Sequence, residues 1–151
     1  MPVNSALLRE SLPDFLKQRT RIMSSDTGAT GEFVVYWMCT AVRADENPAL
    51  EAACKAAETL GCPLLVYHGL SSRYPFASDR HHRFIMEGAR DVEQALAAKG
   101  IPYLFHLERP DSPPALKLLA QRAALVVTGQ RQSILGITEF QAPLNFGCSF
   151  M

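Results

Sequence analysis

From residue 33 onward, apolar runs alternate with amphipathic stretches in a regular order. FVVYWM at 33–38 is nearly continuous apolar and aromatic sequence, the composition of a strand buried on both faces of a parallel sheet. After a polar connection, Asn47-Pro48 reads as a helix start: Asn47 can accept from a free backbone N–H, and Pro48 suits the first helical position. The helix runs through LEAACKAAETL and stops at Gly61. PLLVYH at 63–68 predicts a second strand, and the polar loop GLSSRYPFAS leads to a long helix near 79–99. Ser78 or Asp79 can cap that helix and Gly100 ends it. Its apolar positions Phe84, Gly88, Val92 and Leu96 recur every fourth residue, with Ile85, Ala89 and Ala95 beside them. This predicts one broad apolar face, with the Phe84–Val92–Leu96 stripe in the core. PYLFHL at 102–107, a Pro-rich turn RPDSPP, a helix near 114–122 and ALVVT at 124–128 complete the series. Such alternation predicts the α/β class: a Rossmann-like open parallel sheet with helices on both faces.

The flanks read differently. Residues 1–32 form a lead-in and linker in which Pro13 limits SALLRESLPDFLKQRTRIM to a brief helix on each side. Gly28 and Gly31 precede a strand instead of joining strand to helix, the wrong place for a phosphate-binding loop. Residues 33–128 are the α/β domain. The tail, 129–151, has neither helical nor strand periodicity and is expected to be poorly ordered, so the sheet is expected to lack its last strand.

Composition narrows the function. At 151 residues, 48% hydrophobic and 20% charged, the chain suits one globular domain. Its formal net charge of zero gives no overall field toward nucleic acid or an anionic membrane. No secretory leader and no membrane-length apolar run are visible, so the protein is expected in the cytoplasm, or in the nucleus of a eukaryote. Cys39, Cys54, Cys62 and Cys148 show no metal-binding spacing and read as apolar fillers. His81 and His82 are adjacent on a helix, so their side chains diverge. His68 and His106 lie near the ends of strands that could be neighbours, and with Glu108 could form a small polar or metal-binding cluster. No hydrolase triad or HExxH motif is evident.

Several motifs carry a resemblance. Tyr36-Trp37-Met38, then Arg43 and Asn47-Pro48-Ala49-Leu50, resemble the opening of the photolyase/cryptochrome family, most closely the class II cyclobutane pyrimidine dimer photolyases. Arg80, His81, Phe84 and Gly88 within RYPFASDRHHRFIMEGARDVEQAL are similar to that family's Arg-His-x-x-Phe-x-x-x-Gly helix, and GIPYLFHL extends the likeness. The resemblance implies light-driven repair of pyrimidine dimers in DNA by electron transfer from FAD. It places FAD and the lesion in a helical domain that follows the α/β domain, and a deazaflavin or folate antenna at the α/β domain. Read this way, the chain is a truncated member without its catalytic domain. No catalytic residue and no cofactor are then expected in it, and damaged DNA is met only through the helical domain.

By the strand-end rule an antenna pocket would draw on Trp37, Met38, Arg43, Asp45, Asn47 and the loop after His68. Each of these has a plainer role: Trp37 as core, Arg43 and Asp45 as a solvated or mutually paired turn, Asn47 as a helix cap. Two other readings stay open. One is a free-standing Rossmann-like domain that binds a flavin or nucleotide. The other is a non-catalytic interaction fragment, prone to self-association through an exposed sheet edge.

Overall fold

A computed structural model describes residues 5–23, 31–71, 78–109, 111 and 113–129. The predicted tail, apart from Gly129, lies outside the described residues, as does most of the linker at 24–30. Four strands form one parallel sheet: β1 (Phe33–Trp37), β2 (Leu64–Ser71), β3 (Tyr103–Glu108) and β4 (Ala123–Thr128), in the order β3-β2-β1-β4. The connecting helices are α3 (Pro48–Leu60), α4 (Asp79–Ala98) and α5 (Ala115–Arg122). Two short helices, α1 (Ser5–Ser11) and α2 (Asp14–Lys17), flank Pro13 in the lead-in.

The strand order dictates the layering. The chain steps outward from β1 to β2 to β3, then returns across the sheet to β4 on the other side of β1. With right-handed crossovers, reversing the direction of travel moves the next helix to the opposite face. Val34, Tyr36, Met38 and Val66 accordingly pack with Ala53 and Ala57 of α3 and Val92 and Leu96 of α4. The alternate residues Val35 and Tyr67 pack with Leu116 of α5. Val34, Val35 and Tyr36 are wholly buried, as a strand covered on both faces must be.

The lead-in also packs. Leu8 meets Ala56 of α3 beside Leu125 of β4, and Leu12 and Leu16 close on Ala52. Gly31 has a packing reason as well: a Cβ there would collide with the backbone of Ala123 and Ala124. Only glycine lets the chain pass so close to the start of β4.

One expected core residue is misplaced. The buried positions of α4 are Ala89, Val92 and Leu96, whereas Phe84 is 72% exposed. A helix turns about 100° per residue, so every fourth position drifts about 40° and Phe84 lies about 120° from Leu96 around the axis. The face that stays on the sheet has mixed three- and four-residue spacing, through Ile85, Ala89, Val92 and Leu96.

Candidate functional site

The first crossover, residues 38–47, is held by a network of side-chain hydrogen bonds. Asn47 is 6% exposed and holds this connection from its centre. Its Oδ1 accepts from the backbone N–H of Leu50 at 3.2 Å, capping α3. Its Nδ2 donates to the carbonyls of Ala41 (3.1 Å) and Arg43 (3.0 Å). An amide has two N–H protons, and those carbonyls use both. Tyr36 Oη, 3.2 Å from Oδ1, is therefore the donor of its own bond to Asn47. Burial raises the Tyr36 pKa, so the phenol stays protonated as this network requires. Glu46, just before the cap, has φ of 47°, a left-handed conformation that is unfavourable for a side chain with a Cβ.

The clamp folds Arg43–Glu46 toward α4. Lys99 Nζ donates to the carbonyl of Ala44 at 2.9 Å and to Asp45 Oδ1 at 2.6 Å, tying the end of α4 to the connection. Both side chains of that pair are substantially solvated, so its main effect is positional. Asp45 thus pairs with Lys99, not with Arg43 as one sequence expectation had it. Between the connection and α4 lies an open cleft of about 550 Å³, lined by Val42–Glu46 together with Gly88, Asp91, Val92 and Ala95.

The five pocket candidates do not line one cavity. Arg43 and Asp45 are on the cleft wall, while Asn47 is buried within the clamp. Met38 is wholly buried in the α3/α4 core, whereas Trp37 packs on the opposite face beside Val35 and Leu116. At the switch point between β1 and β4, Thr128 Oγ1 donates to the Trp37 carbonyl (3.2 Å) and Thr40 Oγ1 to the Gly129 carbonyl (3.4 Å). The described crevice mouth is laced together at that point. A flat aromatic chromophore calls for opposed apolar or aromatic walls. The cleft offers no ring among its described residues and sets three carboxylates against the guanidinium of Arg43. These residues do not fit such a group.

The expected His68–His106–Glu108 cluster divides between the two faces. β2 and β3 are indeed neighbours, but His68 pairs in register with Phe105 and Gly69 with His106, so the two imidazoles point to opposite sides. His68 Nδ1 is 2.7 Å from Tyr103 Oη, and the ring packs edge-on against Phe105. Burial lowers the His68 pKa, so the neutral ring accepts from the phenol. On the other face Tyr67 Oη lies 3.1 Å from His106 Nδ1 and 3.2 Å from Glu108 Oε1. Burial, followed by the charge of Glu108, raises the Tyr67 pKa, so the phenol donates to the carboxylate and receives from the imidazole. Gly69 makes room for this trio, since a Cβ would sit 2.9 Å from both Tyr67 Oη and Glu108 Oε1. Adjacent histidine, tyrosine and glutamate on paired strands were visible in the sequence, but the register that joins them was not. β2 also continues to Ser71, and the rest of the expected loop after His68, residues 72–77, lies outside the described residues. Among the described residues, no group of three His, Cys, Asp or Glu side chains could hold a metal ion. Nor is any described helix long and apolar enough to cross a membrane.

Comparison with known proteins supplies the context for this geometry. Residues 34–133 match the DNA photolyase family model, a span that contains the β1–β4 sheet apart from Phe33. The deoxyribodipyrimidine photo-lyase of Methanothermobacter thermautotrophicus is 46% identical over 99 residues, 65% of this chain and 22% of that protein. The chain therefore spans about a fifth of the length of the curated relative it matches. On this match, which covers more than half of its residues, the chain belongs to the DNA photolyase family.

Proposed function

We propose that this chain provides the α/β, antenna-side domain of a light-dependent pyrimidine-dimer photolyase and carries no repair activity by itself. One observation supports the reading most directly: the family match at residues 34–133 takes in nearly all of the sheet, and a 46% identical alignment covers 22% of a deoxyribodipyrimidine photo-lyase. In this reading the flavin chemistry and the contact with dimer-containing DNA belong to the helical part of a photolyase. The α/β domain supplies a rigid platform for that part. The Asn47 clamp and the Lys99 tie make the first crossover stiff enough for such a role. The platform works in the cytoplasm, or in the nucleus of a eukaryote.

The test is direct. Purified chain is mixed with reduced FAD and an oligonucleotide carrying cyclobutane dimers, then illuminated or kept dark. Dimer content is expected to be the same in both arms. A light-dependent loss of dimers that requires the chain would overturn the reading.

A further inference from the structure

β3 is a thinly supported strand. Among the described residues it pairs only with β2, from Val66 against Tyr103 to Ser71 against Glu108. The cluster that α5 builds on β1 and β4 contains no β3 residue, and Leu104 and Leu107 are exposed. Two tyrosine–histidine contacts, one on each face, pin this strand to its neighbour. His68 has Phe105 as its register partner but bonds back to Tyr103 at 2.7 Å. Tyr67 has Leu104 opposite but reaches forward to His106 at 3.1 Å.

The two contacts respond differently to acid. On the α5 face His106 already donates its Nδ1 proton to Tyr67, whose own proton goes to Glu108. A further proton enters at Nε2, away from the contact. On the α4 face the roles are reversed: the His68 Nδ1 lone pair receives the Tyr103 proton, so an added proton must take the place that the phenol fills. Tyr103 Oη has no other hydrogen-bond partner among the described residues. Burial, followed by the charge of Glu93 on α4, keeps that phenol protonated. The rest of the surroundings cannot balance a charge on His68. Phe105 packs edge-on against the ring, and the buried α4 residues Ala89, Val92 and Leu96 are apolar. On the same face β1 offers Tyr36 and Met38, and α3 offers Ala53 and Ala57, none of them charged. His68 is 5% exposed, so water reaches a charged ring only once β3 has moved away.

From this geometry we infer that β3 is an acid-releasable edge strand: it separates from β2 as a unit while β1, β2 and β4 stay paired, and His68 takes up a proton as it goes. The opening is local because β3 has one strand neighbour, whereas β1 and β2 each have two. Release uncovers the backbone N–H and C=O groups along β2, an edge open to strand addition. The property belongs to the sheet itself and holds whether or not the chain serves a photolyase.

Native-state hydrogen exchange of the full chain reads this out, with rates corrected for the intrinsic pH dependence of exchange. At low urea the β3 amides are expected to exchange through an opening smaller than global unfolding, with protection about tenfold or more below that of β1 and β4. Below pH 6.5 their protection should fall further, by up to about tenfold per pH unit for one coupled proton. His68→Gln, which still accepts from Tyr103, should remove that fall, and His106→Gln should leave it in place. In the unaltered chain the His68 ring should titrate by NMR with a midpoint below 6.5. A midpoint at or above that value would overturn the inference. So would β3 amides that share the protection and urea dependence of β1 and β4, because the strand would then leave only when the whole sheet unfolds. An equal acid loss in His68→Gln would do the same.

Discussion

Replacing Asn47 with alanine removes three restraints at once. The cap on Leu50 N–H goes, the carbonyls of Ala41 and Arg43 lose their donor, and the buried Tyr36 hydroxyl loses its acceptor. A lost cap costs about 1 kcal/mol and a stranded buried polar group about 1–3 kcal/mol, so Asn47→Ala should lose about 2–4 kcal/mol by urea denaturation. Asn47→Asp separates the contributions, since a carboxylate can still cap Leu50 but cannot donate to the two carbonyls. It should fall between wild type and alanine; a stability equal to wild type would show that the clamp contributes nothing. The cap was legible in the Asn-Pro dipeptide. The clamp was not, because it depends on where a ten-residue connection places two carbonyls and a tyrosine from the preceding strand.

His68 gives the fold a pH dependence of definite sign. Burial disfavours its charged form, so the folded-state pKa lies below the unfolded value of 6.5. At pH above 6.5 both states hold a neutral ring and this residue contributes no slope. As pH falls below 6.5 the unfolded chain takes up a proton that the folded chain resists, and stability drops until the folded-state pKa is passed. Urea midpoints measured between pH 7.5 and pH 5 should therefore decline toward acid. In His68→Gln, which keeps a group able to accept from Tyr103, the decline should be shallower. An unchanged slope in the variant would assign the acid sensitivity elsewhere.

At the scale of elements, the sequence pattern was informative wherever one period governed a segment. The four apolar runs became four parallel strands, and the three connecting helices begin and end within a residue or two of their signals. Asn47, Ser78 and Gly61 occupy the capping positions that their chemistry suggests. Failure came where the spacing was read too simply. Phe84 shares a four-residue interval with Val92 and Leu96, yet accumulated rotation carries it onto an exposed face. Gly31 shows the complementary failure. Its role is a close passage over the backbone at Ala123 and Ala124, a contact between segments that local sequence cannot display. The histidines follow the same logic, because a strand's side-chain parity is local but its register against a neighbour is not.

For the whole molecule, fold and family were legible, whereas a site was visible only as a list of residues. The strand-end rule collected Trp37, Met38, Arg43, Asp45 and Asn47 on one connection, but the backbone distributes them between two faces of the sheet, a buried clamp and a cleft wall. What the molecule displays is a four-stranded parallel α/β sheet whose sequence matches the DNA photolyase family. The measurement that tests this most directly is a graft. The residues of this chain that align with the Methanothermobacter photo-lyase replace their counterparts in it, and the purified chimera is assayed for light-dependent dimer reversal beside the 151-residue chain alone. The account predicts repair by the chimera and none by the chain. A folded, flavin-loaded chimera that failed to repair, or repair by the chain alone, would contradict it.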